Sequence, residues 1–214
     1  MAFLRDEDKK EIRKKLDEMS GKVKMMFFTQ ELDCQYCKET GQLLDELADL
    51  DDRLEVEAVN LVTDKEIAEQ FKIDKAPAIV LVGEDGKDRG IRFFGIPSGY
   101  EFATLLEDIL MVSANDSGLS GEAKQFLSTL DKDLHLQVFV TPTCPYCPGS
   151  VRIAHQLAFE SDRVLGDMVE ATEFPEMAQQ YRVQGVPRTV VNETIHFEGM
   201  QPMEMVLSEL KKAV

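Results

Sequence analysis

The chain has 214 residues, 43% of them hydrophobic and 30% charged, with a formal charge of −16 at neutral pH. That length makes one large or two small globular domains, and no run of about 18 apolar residues offers a membrane span. Forty acidic against 24 basic residues argue against a face for nucleic acid or an anionic membrane, and read as solubility through self-repulsion.

The N-terminus, MAFLRDEDKKEIRKK, is charged almost at once and lacks the apolar core of a secretory signal, so the chain reads as cytoplasmic. Residues 6–19 set Ile12, Leu16 and Met19 at helical spacing, and VKMMFF (23–28) is a compact apolar run suited to a buried strand. A helix is expected from Cys34 or just after it, with Leu43, Leu44 and Leu47 on its inner face. LEVEAVNL (54–61) alternates like a strand, and Thr63-Asp64 can cap a short helix running through Phe71. AIVLVG, EDGK and DRGIRFFG read as strand, tight turn and strand; EFATLLEDILMV closes the unit as a helix. SANDSGLSG (113–121) is rich in turn formers and marks a short join.

The same order then repeats. GEAKQFLSTL reads as helix, LQVFV as strand, and the helix after Cys144 carries Val151, Ala154, Leu157 and Ala158. DMVEAT is a strand, PEMAQQYRV a helix opened by Pro175, RTVV and TIHFEG a hairpin across Asn192-Glu193, and MEMVLSELKKAV the closing helix. Laying residue n on residue n+110 from Cys34 to Leu81 gives 13 identities in 48 columns without a gap. A tandem duplication follows, with units at 1–115 and 116–214. Each is expected to be α/β, a mixed central sheet flanked by helices.

All four cysteines fall in two C-x-x-C pairs, Cys34/Cys37 and Cys144/Cys147. Each pair stands at a strand-to-helix junction, where unpaired backbone N–H groups and the helix dipole favour a thiolate over a thiol. The first cysteine of each pair is expected at the cap as the exposed nucleophile. The second, nearly one turn inward, can attack the mixed disulfide. Pro145 suits the first helical position, and Pro142 and Pro148 stiffen the entry to the second motif. Pro77 and Pro187 each lie 43 residues after the first cysteine of their unit, behind Ala76 and Val186. Matched positions point to cis X-Pro bonds facing the disulfides, with the preceding residue offering its backbone to an extended client.

Together these features resemble two thioredoxin-like units in tandem. CPYC (144–147) resembles the glutaredoxin signature, and CQYC (34–37) with the tandem length resembles the protein disulfide oxidoreductases, or glutaredoxin-like proteins, of hyperthermophiles. The resemblance implies reduction, oxidation or isomerisation of protein disulfides in the cytosol of a thermophile. It implies no bound cofactor beyond the cysteine pairs, and recharging by a thioredoxin-reductase-like flavoenzyme. Cys34, Cys37, Cys144 and Cys147 would be catalytic; Ala76, Pro77, Val186 and Pro187 would bind the client. The chain departs from ordinary glutaredoxins at Lys75 and Gly185 before the Ala-Pro and Val-Pro steps, and in FEGMQPME (197–204), which lacks the Gly pair that grips glutathione. Gly95 and Gly199 keep the family pattern.

The second motif, framed by prolines, is read as the main exchanger. Glu170 is a candidate proton acceptor for a resolving cysteine, against a reading as a solvated strand end. His155 reads as structural or exposed, His135 and His196 carry no motif, and Met200, Met203 and Met205 read as core packing. Metal binding is the rival: a Cys₄ zinc site, or an iron–sulfur site between subunits. The 106 residues separating the pairs far exceed ribbon spacing of about 15–20, and no metal is expected. A chaperone-like binding module is a third reading.

Overall fold

The computed structural model describes residues 3–213; Met1 and Ala2 of the expected first unit and Val214 of the expected closing helix lie outside them. Helix α1 (Asp6–Leu16) opens with Asp6, Glu7 and Asp8 and closes with Arg13, Lys14 and Lys15, charges that complement its dipole. It buries Ile12 and Leu16 but ends before Met19, which reaches the core from beyond the helix. Strand β1 (Val23–Thr29) leads to α2 (Cys37–Ala48), whose Leu43, Leu44 and Leu47 form the inner face. Then come β2 (Leu54–Asn60), α3 (Lys65–Gln70), β3 (Ala78–Gly83), β4 (Asp88–Phe94) and α4 (Glu101–Ala114), which Asn115 ends in the left-handed region. Asp64 is the N-cap of α3, yet its carboxylate takes the amide of Asn60 at 2.8 Å rather than a helix amide.

The second unit repeats the order: α5 (Gly121–Ser128), β5 (Leu134–Val140), α6 (Cys147–Glu160), β6 (Val164–Glu170), α7 (Pro175–Gln180), β7 (Arg188–Val191), β8 (Ile195–Glu198) and α8 (Met203–Leu210). The duplication reaches the backbone: Lys72 and Arg182, 110 apart, both take positive φ after their short helices. The two copies do not make two sheets. They share one of eight strands in the order β2-β1-β3-β4-β6-β5-β7-β8. The join is a parallel pairing of β4 with β6, Ile91 opposite Gly166 through Phe94 opposite Val169.

Strand directions follow from the pairings. β3 runs antiparallel to both β1 and β4, so β1, β4, β6 and β5 all point one way. A large apolar core runs unbroken across both units on the face covered by α1, α2, α4, α5, α6 and α8. A smaller one lies under α3 and α7. Where α4 packs on α6 the core encloses a polar pair: His155 Nδ1 meets Asp108 Oδ2 at 2.5 Å, and His155 Nε2 faces the Arg92 carbonyl at 3.2 Å. Both side chains are buried, and the Phe93 ring packs edge-on to the imidazole. His155 is thus structural, and it fastens the units together.

Removing one member of a buried pair leaves the other without a partner. Asp108→Ala is expected to cost about 3 kcal/mol of unfolding free energy, read as a lower denaturant midpoint at unchanged slope. A loss within about 0.5 kcal/mol, ordinary for a surface change, would show that the pair does not hold the seam.

Candidate active site

Because β1 and β5 are parallel within one sheet, the loops leaving their C-terminal ends open on the same edge. Those loops carry the cysteines, and each pair is closed as a disulfide, Cys34–Cys37 and Cys144–Cys147, with Cα atoms 5.5 Å apart in both. The four sulfurs therefore form two sites rather than one. Among the described residues no cluster of three or more His, Cys, Asp or Glu could hold a metal ion. The loop before Cys34 is one residue longer than that before Cys144, and Asp33 absorbs the extra residue at positive φ.

The helices begin later than the spacing predicts. Tyr36 and Tyr146 are the N-caps, and Cys37 and Cys147 are the first helical residues. Cys34 and Cys144 thus stand two residues before their caps, at the N-terminal ends of α2 and α6. Pro145 lies outside the helix; Pro148 occupies the first turn of α6 instead and removes one amide that Lys38 keeps in α2. Cys37 and Cys147 are buried as expected. Cys34 is partly exposed, whereas Cys144, expected to be exposed, is 7% exposed in its disulfide.

The expected client-binding residues come to the same edge. Phe28 of β1 pairs with Ala78 of β3, and Phe139 of β5 with Arg188 of β7, so Pro77 and Pro187 flank the strand ends from which the cysteine loops depart. Ala76–Pro77 and Val186–Pro187 are both cis. Ala76 and Val186 pack against the same core as the cysteines. Around the second disulfide Tyr146 is exposed, and Met200 lies against Gly149 in the first turn of α6 with 54% of its surface open. Met200 and Met205 are therefore exposed rather than core.

A further buried acid, Glu101 at the start of α4, carries no sequence motif. α4 and α6 run side by side in the same direction: Arg152 Nη1 meets Glu107 Oε2 at 2.9 Å, His155 meets Asp108, and Glu160 meets Ser117. About two turns back along both helices, Glu101 comes level with the Cys147–Pro148 turn. The link before α4 is pressed to the cysteine loop: Tyr100 N donates to Pro142 O at 3.1 Å. At Gly99, with φ +60, a Cβ would lie 2.1 Å from that same oxygen, so only glycine fits. Glu101 is buried; Oε2 accepts from Thr104 Oγ1 at 2.7 Å, and Oε1 has no partner among the described residues. Burial pushes its carboxyl up to about 7, against the Thr104 hydrogen bond and His155, which pull it down.

Glu170 is also buried rather than solvated. Its Oε2 accepts from Thr172 N, Thr172 Oγ1 and Glu173 N, so it caps its own turn beside the first unit rather than reaching Cys147. Glu173, unremarked in the sequence, is lifted to about 7 by burial, with the Ile96 amide opposing and the Glu170 charge adding. His135 pairs with Asp167.

Comparison with known proteins adds relatives to this geometry. The thioredoxin-like domain family matches residues 10–110 and the thioredoxin domain family residues 134–212. A protein disulfide oxidoreductase from Aeropyrum pernix superposes with a TM-score of 0.91 at 29% identity, covering 98% of this chain and 93% of that one. The N-terminal domain of alkylhydroperoxide reductase AhpF from Enterococcus faecalis shares the fold, with a TM-score of 0.89 at 24% identity over 97% of this chain and 100% of that one. An alkyl hydroperoxide reductase polypeptide of Staphylococcus aureus is 24% identical over 202 residues, 94% of this chain and 36% of that protein. An NADH dehydrogenase of Ferdinandcohnia aciditolerans is 24% identical over 168 residues, 78% of this chain and 30% of that protein. The chain thus spans about a third of the length of these curated relatives.

The two carboxyls raised to about 7 fix a sign for stability, and burial shifts Asp108 in the same direction. Each of the two binds its proton more tightly folded (about 7) than unfolded (4.5). Their stabilisation is whole below the unfolded value and is lost as pH rises through the folded one. Unfolding free energy should therefore fall between about pH 4.5 and pH 7, and Glu101→Gln should flatten that fall. Urea titrations across the range check it; an unchanged slope in the variant would refute the assignment.

Proposed function

We propose that the chain, with a thioredoxin-like and a thioredoxin domain in tandem, is a thiol–disulfide oxidoreductase that exchanges disulfides with protein clients, mainly through Cys144 and Cys147. The units are 1–115 and 116–214, each with its own pair. The observation that carries the choice of site is Glu101, a buried acid level with the first turn of α6, whose proton affinity lies near neutral.

In the reducing direction the Cys144 thiolate, at the N-terminal end of α6, attacks one sulfur of a client disulfide. A mixed disulfide forms and the other client sulfur leaves as thiolate. Cys147 gives its proton to the Glu101 carboxylate and attacks the Cys144 sulfur. The Cys144–Cys147 disulfide forms, the bond to the client breaks, and the second client sulfur leaves. The client gains two electrons and, from Glu101 and solvent, two protons. The reverse sequence oxidises a client dithiol. An acid titrating near the working pH can both take and return the proton, which suits it to either direction. Val186 and Pro187 present the backbone edge on which an extended client lies, and Ala76 and Pro77 do the same for Cys34 and Cys37.

No prosthetic group takes part in this reading. Electrons come from a thioredoxin-reductase-like flavoenzyme; the reductase and dehydrogenase names of the curated relatives support a reductase as the partner class. The setting is the cytoplasm of a thermophile. No described helix is long and apolar enough to cross a membrane.

Turnover of insulin disulfides with dithiothreitol measures the asymmetry. Cys144→Ser is expected to lower the rate about tenfold more than Cys34→Ser, and Glu101→Gln to lower kcat by about 10²-fold, the smaller end of acid–base contributions, with loss of the inflection near pH 7. Equal loss from the two serine variants would reject the second site as the main exchanger.

A further inference from the structure

The two sites differ in what holds their far wall. In both units a glycine follows the last strand and gives its amide to the carbonyl of the cis proline: Gly95 N to Pro77 O at 2.9 Å, Gly199 N to Pro187 O at 2.8 Å. The next residues part company. Met200 stands open at the second site, while Ile96 is only 8% exposed. The Ile96 amide donates at 2.7 Å to Glu173 Oε1, a carboxylate that belongs to the other unit.

The contact is close on all sides. Gly95 has φ +99, and a Cβ there would lie 2.6 Å from Glu170 Cβ and 3.0 Å from Glu173 Oε1. The backbone of the first unit thus lies flat against two glutamates of the second. Among the described residues, Glu170 Oε1 and Glu173 Oε2 are buried without a hydrogen-bond partner. Lys75 sits over the Phe94 ring and pairs with Asp74, and Phe94 packs edge-on to Phe174, the neighbour of Glu173.

We propose that Glu173 is a positioning residue for the Cys34–Cys37 site: the second unit clamps the Gly95–Ile96 backbone, and through it Pro77, so that client binding at the first site follows the charge on Glu173. The inference rests on the dithiol-exchange reading of Cys34 and Cys37. Burial, opposed by the Ile96 amide and reinforced by Glu170, brings Glu173 to about 7. Above that pH the carboxylate makes a charge-assisted bond to the Ile96 N–H; below it the neutral carboxyl holds the same amide more weakly. The first site is then firm in alkaline solution and loose in acid through Glu173, while client binding at the second, whose Met200 the carboxylate does not hold, does not follow Glu173.

The test uses the full chain with Cys144→Ser and Cys147→Ser, prereduced, in single-turnover reaction with a peptide disulfide. Between about pH 8 and about pH 6 the half-saturating peptide concentration should rise roughly two- to fivefold, the scale of coupling between linked residues. Glu173→Gln, which keeps an acceptor but cannot ionise, should sit at the higher value at both pH values. Reaction with a small aromatic disulfide that does not need the groove should be unchanged by the substitution. In the reciprocal chain, Cys34→Ser with Cys37→Ser, Glu173→Gln should leave peptide exchange as it was, which also reports that the variant folds. The same pH dependence with and without Glu173, or an equal shift at both sites, overturns the proposal. No exchange by Cys34–Cys37 at any pH would remove the underlying reading and the proposal together.

Discussion

The parallel pairing of β4 with β6 governs the arrangement of everything else in the molecule. Two separate sheets would leave β4 and β6 as edges with unpaired amides and carbonyls, exposed to adventitious pairing. Joining them removes both edges and, among the described residues, leaves only β2 and β8. Because the added pairing is parallel, it also carries direction across the join. The C-terminal ends of β1 and β5 must then face the same way, and both disulfides open on one edge.

The join brings charged residues into a place where water is scarce. Asp108 and His155 meet there and satisfy one another. Glu101 and Glu173 are only half satisfied: one oxygen of each accepts a hydrogen bond and the other has none among the described residues. Desolvation of a carboxylate favours its protonated form, which is why both rise to about 7. A folded protein concerned with stability alone would do better with apolar residues at such positions. Groups that titrate near neutral beside redox cysteines can instead serve proton transfer, the reason perturbed acids gather at functional sites. Each acid also lies where one unit meets the other: Glu173 takes the Ile96 amide, and Glu101 stands at the start of the helix that packs on α6.

Duplication supplied two similar motifs, and small local changes separated them. Pro148 in place of Lys38 takes away a first-turn amide and a cation; the extra residue before Cys34 shifts its loop; Ile96 is covered where Met200 is open. None of these alters the fold, because each lies in a loop or a first turn rather than in the strands that set the register. They alter what surrounds the sulfur, and the environment of the sulfur governs thiol reactivity.

The elements, the duplication, the two redox pairs and the proline opposite each were all legible in the order of the residues. Those signals are local: apolar periodicity, a fixed offset of 110, three-residue cysteine spacing and matched Ala-Pro and Val-Pro steps. The helix starts read three residues early, since a cap is settled by backbone hydrogen bonds that cysteine spacing does not encode. Glu170 stood out while Glu101 and Glu173 did not, because a glutamate at a helix start or in a turn reads as solvated. Which acids lose their water emerged only when the chain was packed in three dimensions. Burial depends on which strand edges meet, and one parallel pairing between residues some 75 apart in the chain set that for the whole molecule.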